Sequence, residues 1–81
     1  MLVDLEDVCR TTGLVLGRRR VDADERLVDD LGAESADVLN LMVTLEQKYG
    51  VKIDETEMSN VATVHDLYDL LTKITHAATR D

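Results

Sequence analysis

Ser35 carries the hydroxyl group whose position in the sequence most favours chemistry. Gly32, which allows a sharp turn, precedes it by three residues, and the longest uninterrupted helical pattern begins at the serine. Ser35 is therefore predicted to be a helix N-cap. The first turn of a helix offers unpaired backbone N–H groups and the positive end of the helix dipole, which would favour an anionic phosphate ester on this hydroxyl.

Other side chains that take part in catalysis elsewhere lack suitable partners in this chain. His65 and His76 are distant from Ser35 in the sequence, and no aspartate–histidine pairing with the serine can be identified. There is no phosphate-binding glycine loop, no cysteine pair and no evident pair of general acid and base. The two histidines are eleven residues apart, with no cysteine or paired carboxylate spaced to complete a metal site. We therefore expect neither an enzyme nor a metal-binding protein.

Length and composition favour one small helical domain, residues 1–81. The chain is 44% apolar, contains no proline, and has Tyr49 and Tyr68 as its only large aromatic residues, so a deep substrate pocket is not expected. No apolar run approaches the roughly 20 residues that span a bilayer, and the first residues do not resemble a signal peptide. Cys9 alone cannot form an internal disulfide bond. These features predict a cytoplasmic protein without a membrane span, and we expect a monomer.

The charge is strongly negative and unevenly distributed. The net charge is −8, and the segment from Asp22 to Asp69 contains thirteen acidic residues against three basic ones. Nucleic acid is excluded as a partner, because phosphate contacts need a basic face. Protein partners are instead expected to present basic patches. The only basic run, 18–20, is interpreted as a solvated loop.

The first half of the chain is predicted to contain a helix and a long loop. The helix is expected over Leu2–Leu16, with Gly13 weakening its last turn and Gly17 ending it. The polar loop that follows extends from Val21 to Leu31. Its apolar residues are spaced like anchors to a core: Val21, Leu27, Val28 and Leu31.

The second half is predicted to contain three further helical segments. A long helix covers Ala36–Tyr49, and one or two helical turns lie within Asp54–Asn60. Thr63 and Asp66 form a variant of the capping box that opens the last helix, and the tail 77–81 is expected to fray. The fold class is therefore all-α, with three main helices, a short helix before the last one, and a long loop after the first.

The helix over Ala36–Tyr49 has two apolar stripes. The first is a normal core face, formed by Val38, Leu41, Met42, Leu45 and Tyr49. The second lies roughly 140° around the helix and consists of Ala36, Leu39 and Val43. Because one helix in a small domain cannot easily bury two faces, we expect a partner or ligand to cover the second stripe. The alternative is that the long loop covers it.

Several short motifs agree in sequence and spacing with one known family over nearly the whole chain. They are Leu27 to Asp37, Leu45-Glu46, Tyr49-Gly50, Ile53 and Ala62-Thr63-Val64. On these residues the chain resembles the acyl carrier proteins. The resemblance implies a small up-down helical bundle and a 4′-phosphopantetheine arm on Ser35, installed from coenzyme A by a phosphopantetheinyl transferase. The thiol of the arm would carry an acyl group as a thioester from one enzyme to the next.

The resemblance also implies two sets of contact residues. In the family, acidic and apolar residues of the second helix contact basic patches on acyl-transferring, condensing or ligase enzymes. The matching residues here are Glu34, Ala36, Asp37, Leu39, Asn40, Val43, Glu46 and Gln47. An acyl chain folded back between the second helix and the later ones would contact Met42, Leu45, Val61, Tyr68 and Leu71.

Departures from the family pattern indicate a specialised carrier for fatty acid, polyketide or related biosynthesis. The attachment triplet usually reads Asp-Ser-Leu, whereas here it is Glu34-Ser35-Ala36, so an apolar side chain next to the arm is missing. Three positions that are commonly acidic hold other residues, namely Asn40, Gln47 and Lys48. The recognition face is therefore less negative than usual.

Two other functions stay open on the sequence alone. A peptidyl or aminoacyl carrier would have the same arm, but such carriers often have a second glycine where this chain has Ala33, and a less acidic surface. An unmodified helical interaction module could use the same fold, with Ala36, Leu39 and Val43 as a docking strip.

Overall fold

The computed structural model describes residues 3–78, and this part of the chain forms four α-helices. They are α1 (Leu5–Leu16), α2 (Ser35–Tyr49), α3 (Glu55–Ser59) and α4 (Val64–Ala78). The predicted all-α class, with three main helices, a short helix before the last one and a long loop after the first, is confirmed. The tail predicted to fray, 77–81, lies outside the described residues except for the last two residues of α4.

The first helix begins three residues later than predicted, at Leu5 instead of Leu2. Asp4 has extended backbone angles (φ −114°, ψ 126°), and its Oδ1 atom accepts a hydrogen bond of 3.1 Å from the backbone N–H of Glu6. An aspartate in this conformation is an N-cap, so the helical backbone starts after it.

Other helix ends follow the prediction. Gly17 and Gly50 end α1 and α2 with φ angles of 71° and 65°, in the left-handed region that favours glycine. The capping box of α4 is also present, because the N–H of Asp66 donates to Thr63 Oγ1 and the N–H of Thr63 donates to Asp66 Oδ2, each at 3.0 Å. Hydrogen bonds from the backbone N–H groups of Thr63 and Ala62 lower the pKa of Asp66.

The core lies where α1 packs against α2 and α4. The predicted core face of α2 is confirmed, with Val38 half-buried and the other four members buried: Leu41, Met42, Leu45 and Tyr49. The fully buried residues from the other two long helices are Val8, Thr12, Val64, Leu67 and Leu71. Leu70 of α4 is buried as well.

The long loop is attached to the segment before α4 by backbone hydrogen bonds. The N–H of Leu27 donates to the carbonyl of Ala62 at 2.9 Å, and the N–H of Val64 donates to the carbonyl of Glu25 at 3.1 Å. Three of the four predicted anchors are buried: Val21, Leu27 and Leu31. The prediction for Val28 was wrong. Its side chain is 62% exposed, because the chain turns back after Leu27 and directs the next residue outward.

Gly13 is a requirement of the packing and not only a weak point of α1. A Cβ atom at this position would lie 2.8 Å from the backbone carbonyl oxygen of Arg18, which is closer than real Cβ contacts. The chain after α1 folds back over this position, and the N–H of Arg18 donates to the carbonyl of Gly13 at 2.8 Å. Gly13 therefore lowers the helix propensity of α1, but it also allows a close backbone contact that no other residue would allow.

A polar contact joins the end of α2 to the start of α1. The hydroxyl of Tyr49 donates a hydrogen bond of 2.6 Å to Asp7 Oδ2, and Lys48 Nζ lies 3.2 Å from Asp7 Oδ1. The Tyr49 hydrogen bond is the main cause that lowers the pKa of Asp7, followed by Lys48. Burial, and then Asp7, raise the pKa of Tyr49 to about 12.

Replacing Tyr49 with phenylalanine is expected to lower the free energy of unfolding at pH 7 by about 1 to 3 kcal/mol, because a half-buried carboxylate loses a hydrogen bond. Since the pKa of Asp7 is lower in the folded protein than in the unfolded chain, the contact stabilises the folded state at pH values above the ordinary carboxyl pKa of about 4. This stabilisation is lost as the pH falls through the pKa that Asp7 has in the folded protein. Urea denaturation at pH 7 and pH 3 measures the difference between the two proteins.

Tyr68→Phe is the matched control, because the hydroxyl of Tyr68 makes no hydrogen bond within residues 3–78. Its free energy of unfolding should stay within about 0.5 kcal/mol of the parent protein at both pH values. Equal losses in the two variants, or a Tyr49→Phe loss that does not shrink at pH 3, would contradict the role assigned to Asp7.

Candidate functional site

The segment before α2 is anchored to the core on both sides of a glycine turn. Gly32 has a φ angle of 68°, and its neighbours Leu31 and Ala33 are both buried. The N–H of Ala33 donates to the carbonyl of Leu27 at 2.9 Å, and Arg18 Nη2 donates to the carbonyl of Leu31 at 3.0 Å. The chain therefore enters α2 from a fixed position.

Ser35 is the first residue of α2 and not its N-cap, so this prediction was wrong. The cap is Glu34, whose backbone is extended (φ −98°, ψ 173°) and whose carbonyl accepts from the N–H of Val38 at 2.9 Å. The N–H of Glu34 donates to Asp37 Oδ2 at 3.0 Å. Serine is a preferred N-cap residue. The turn nevertheless ends at the buried Ala33, so the capping position falls on Glu34 and not on Ser35. Asp37, three residues after Glu34, completes the capping box.

The hydroxyl of Ser35 is consequently available for chemistry. The residue is exposed, and its Oγ atom has no hydrogen-bond partner among the residues that the structure describes. The backbone N–H groups in the first turn of a helix point toward its N-terminal end and lack intrahelical acceptors. An anionic ester on this oxygen would lie at the positive end of the dipole of α2.

An apolar groove opens beside Ser35. Its volume is about 680 Å³, with α2 on one side and α3 and the long loop on the other. The lining residues, which define the Ser35 groove, are Val28, Ala33, Glu34, Ser35, Val38, Leu39, Met42, Glu55, Met58 and Ser59. Binding sites for small molecules have volumes of about 300 to 1,000 Å³, so the Ser35 groove is large enough to hold a short flexible chain.

The cavity residues expected from the resemblance lie mostly elsewhere. Of the five, Met42 lines the Ser35 groove. Leu45 and Leu71 are fully buried in the core, and Val61 and Tyr68 are half-buried. A second cavity between α2 and the later helices, lined by these residues, stays a prediction.

The sequence did not indicate four apolar residues of the Ser35 groove, Val28, Ala33, Val38 and Met58. Met58 was placed in the short helix, but five residues do not indicate which neighbour that helix faces. The spacing of the apolar residues in the long loop predicts a core position for Val28, but the side chain is exposed. No signal in the sequence places Val28 and Met58 beside Ser35, because the groove brings together segments that are far apart along the chain.

The second apolar stripe of α2 is exposed, as predicted. Leu39 is 48% exposed and Val43 is 46% exposed, and Ala36 is exposed beside them, so the described part of the chain does not cover the stripe. The long loop, which was the alternative cover, packs instead against the segment before α4.

The polar residues predicted to contact partners fall into two groups. Glu34, Asn40 and Gln47 are exposed. Asp37 and Glu46 are half-buried and already hold backbone groups, since the N–H of Ile53 donates to Glu46 Oε2 at 2.7 Å and Asp37 accepts from Glu34. These two carboxylates therefore support the local structure as well as the surface charge.

The Ser35 groove contains no histidine or cysteine, and His65 is an exposed residue of α4 whose Nδ1 lies 3.2 Å from Asp69. Among residues 3–78, no three histidine, cysteine or acidic side chains are grouped so that they could hold a metal ion. Within the same residues, no helix has the length and apolar character needed to cross a membrane.

Comparison with known proteins gives the family. Residues 5–71 match the family described as the phosphopantetheine attachment site. An acyl carrier protein from Campylobacter concisus is 30% identical over 71 residues, which is 88% of this chain and 91% of the Campylobacter protein. The chain belongs to the acyl carrier protein family.

Other acyl carrier proteins agree with this assignment. One from Thermotoga maritima is 35% identical over 54 residues, which is 67% of each chain, so about a third of that protein lies outside the aligned stretch. The solution structure of the acetyl actinorhodin acyl carrier protein from Streptomyces coelicolor superimposes with a TM-score of 0.78 at 26% identity, over 98% of each chain. Acyl carrier proteins are carriers and not enzymes, which confirms the prediction that this protein is not an enzyme.

The site is compatible with the prosthetic group of the acyl carrier proteins, 4′-phosphopantetheine. A phosphodiester needs an oxygen atom that is accessible and has no internal partner, and Ser35 Oγ meets both conditions. A long flexible substituent on this oxygen also needs an open path, which the apolar Ser35 groove provides.

Replacing Asp37 with alanine is expected to lower the free energy of unfolding by about 1 kcal/mol. The N–H of Glu34 would lose its acceptor, and the first turn of α2 would lose a favourable negative charge. Hydrogen exchange should become faster at Glu34, whose N–H loses its acceptor on Asp37, and at Val38, whose hydrogen bond to the carbonyl of Glu34 opens when the first turn frays. Urea denaturation and amide exchange followed by NMR measure the two effects.

Asp24→Ala is the control for this variant. Asp24 is exposed, so its substitution removes the same charge without removing a helix cap. Its stability and its exchange rates at Glu34 and Val38 should match those of the parent protein. If Asp24→Ala and Asp37→Ala behave alike, the capping role of Asp37 is wrong.

Proposed function

We propose that the protein carries acyl groups as thioesters on a 4′-phosphopantetheine arm attached to Ser35. The arm would come from coenzyme A through a phosphopantetheinyl transferase. The observation that carries this proposal is the position of Ser35, exposed at the start of α2 with an unpartnered Oγ atom that opens onto an apolar groove. We infer a cytoplasmic carrier, monomeric and made of one domain, for fatty acid, polyketide or related biosynthesis.

The residues around the site have distinct parts in this function. When bound, the prosthetic group supplies a terminal thiol that can hold an acyl chain as a thioester. Ser35 holds the attachment point at a fixed place on α2, and the dipole of that helix favours the phosphate charge. Because the cargo is tethered, its effective concentration at a docked enzyme is high, and the surface contacts with each enzyme can be weak.

The exposed face of α2 is proposed as the docking surface for acyl-transferring, condensing or ligase enzymes. Its apolar part is the stripe of Ala36, Leu39 and Val43, which lies between polar residues. The polar members are Glu34, Asp37, Asn40, Glu46 and Gln47. Basic patches on the partner enzymes would complement the acids of this face.

The departures from the family pattern on this face support a specialised carrier. Ala36 offers less apolar surface beside Ser35 than the usual leucine, and Asn40 offers no charge. Glu46 is partly engaged with Ile53, so its carboxylate is less available to a partner. We therefore propose a partner that needs less negative charge on α2 than the enzymes of general fatty acid synthesis do.

Ser35→Ala is expected to abolish attachment of the arm. After incubation with coenzyme A and a broad-specificity phosphopantetheinyl transferase, the intact mass of the parent protein should increase by one phosphopantetheinyl group. The mass of Ser35→Ala should not change, because the acceptor oxygen is missing.

Ser59→Ala is the matched control, because Ser59 also lines the Ser35 groove and also has a hydroxyl. It should gain the same mass as the parent protein. An unmodified parent protein, or an arm still added to Ser35→Ala, would overturn the carrier assignment and favour an unmodified interaction module. Loading by aminoacyl donors instead of acyl donors would favour a peptidyl carrier.

An octanoyl group on the arm is expected to enter the Ser35 groove. It should shift the NMR resonances of Val28, Leu39 and Met58 more than an acetyl group does, because a two-carbon chain is too short to reach along the groove. Larger shifts at Val61 and Tyr68 would instead support the cavity between α2 and the later helices. If octanoyl and acetyl groups give the same shifts throughout, neither site holds the acyl chain.

A further inference from the structure

Four arginines and one leucine form a basic surface at the carboxyl end of α1. The arginine surface consists of Arg10, Leu14, Arg18, Arg19 and Arg20, all of them exposed. These five residues line one shallow cavity of about 270 Å³, together with Glu6, Cys9, Gly13 and Val21. Leu14 is 78% exposed and therefore the most accessible large apolar side chain in the described part of the protein.

The fold holds this surface in place. The N–H of Arg18 donates to the carbonyl of Gly13, and the absence of a side chain at Gly13 lets the basic run lie directly against α1. Arg18 Nη2 also donates to the carbonyl of Leu31, which joins the run to the segment that leads to α2. Because its side chain is already held, Arg18 loses less conformational entropy when it binds a partner.

The charge of the arginine surface is only partly neutralised within the molecule. Arg10 lies 3.7 Å from Asp7, and Arg20 lies 3.8 Å from Asp22. Neither Arg18 nor Arg19 has a carboxylate within ion-pair distance among residues 3–78. Four of the nine basic residues of a chain with net charge −8 are therefore gathered around one exposed leucine.

We propose that the arginine surface is a docking site for a protein partner that presents an acidic patch with an apolar centre. Arginine forms paired hydrogen bonds with carboxylates and is enriched in protein interfaces, and Leu14 supplies the apolar contact. Charge complementarity determines the choice of partner, because basic partners that suit the acidic face of α2 would be repelled here.

Extended anions fit this surface less well. Duplex DNA presents a phosphate charge about every 1.7 Å of its axis, and a membrane presents charge over a wide plane. Either one would meet the surrounding acidic residues of this chain as well as the arginines. An acidic patch on a folded protein can instead match the arginine surface locally.

The arginine surface is separate from the Ser35 groove. The two cavities share no lining residue. A partner that contacts only the arginine surface would not occupy the Ser35 groove, and it would hold the carrier while another enzyme acts on the arm. This proposal does not depend on modification of Ser35.

A peptide probe tests the proposal. The full chain is titrated with a synthetic amphipathic helical peptide of glutamate and leucine residues, and amide resonances are followed by NMR. We expect shifts at Leu14 and Arg19 and none at Leu39. Arg19→Glu combined with Arg20→Glu should weaken the apparent affinity about tenfold or more, because two attractive contacts become repulsive. Circular dichroism shows whether the variants keep their helices.

Lys52→Glu combined with Lys73→Glu is the matched control, because it changes the net charge equally at exposed positions outside the arginine surface. It should leave the affinity within about twofold of the parent value. Ser35→Ala should bind the peptide as the parent protein does, so a failure here is distinguishable from a failure of the carrier function.

Four results would overturn the proposal. The first two are equal binding of a peptide with glutamine in place of glutamate, and an equal loss of affinity in the lysine control. The third is a shift of the same resonances by duplex DNA or phosphatidylglycerol vesicles at lower concentration than the peptide. The fourth is a shift of these resonances when the protein is concentrated without any probe. The last result would mean that a second copy of the chain occupies the surface.

Discussion

Burial of one face of α2 against the other long helices is the constraint on which the rest of the structure depends. Leu41 and Leu45 are almost completely buried, and burying one such side chain contributes about 1.5 to 3 kcal/mol. Any rotation of α2 about its axis would expose both residues. Because its rotation is fixed in this way, Leu39 and Val43 must face solvent, and the start of the helix must present Ser35 beside α3.

Both ends of α2 are also fixed by contacts with distant parts of the chain. At the start, the buried residues Leu31 and Ala33 attach the preceding turn to the core. At the end, Tyr49 is hydrogen-bonded to Asp7 of α1. The helix therefore acts as a rigid platform, and the movement needed to deliver a cargo belongs to the flexible arm proposed on Ser35. A rigid platform also keeps the proposed docking face at a constant position relative to the proposed attachment point.

Local signals in the sequence predicted the helices well, because each depends on neighbouring residues. Gly17 ends α1 in the left-handed conformation, and the Thr63–Asp66 pair caps α4 as its spacing indicates. The errors have a different origin. Ser35 lost the capping position to Glu34 because a buried alanine upstream sets where the turn ends. Gly13 was judged on helix propensity, but its importance comes from the backbone of Arg18, which the loop brings against it.

The order of residues was enough to place Ser35 at the start of a long helix and to show that this helix has a second apolar stripe, since both follow from periodicity along one segment. The Ser35 groove needed the tertiary structure, because it forms only where Met58 of α3 and Val28 of the long loop lie opposite α2. The arginine surface needed it too. A run of basic residues becomes a defined surface only when the chain folds back and places the run against Leu14.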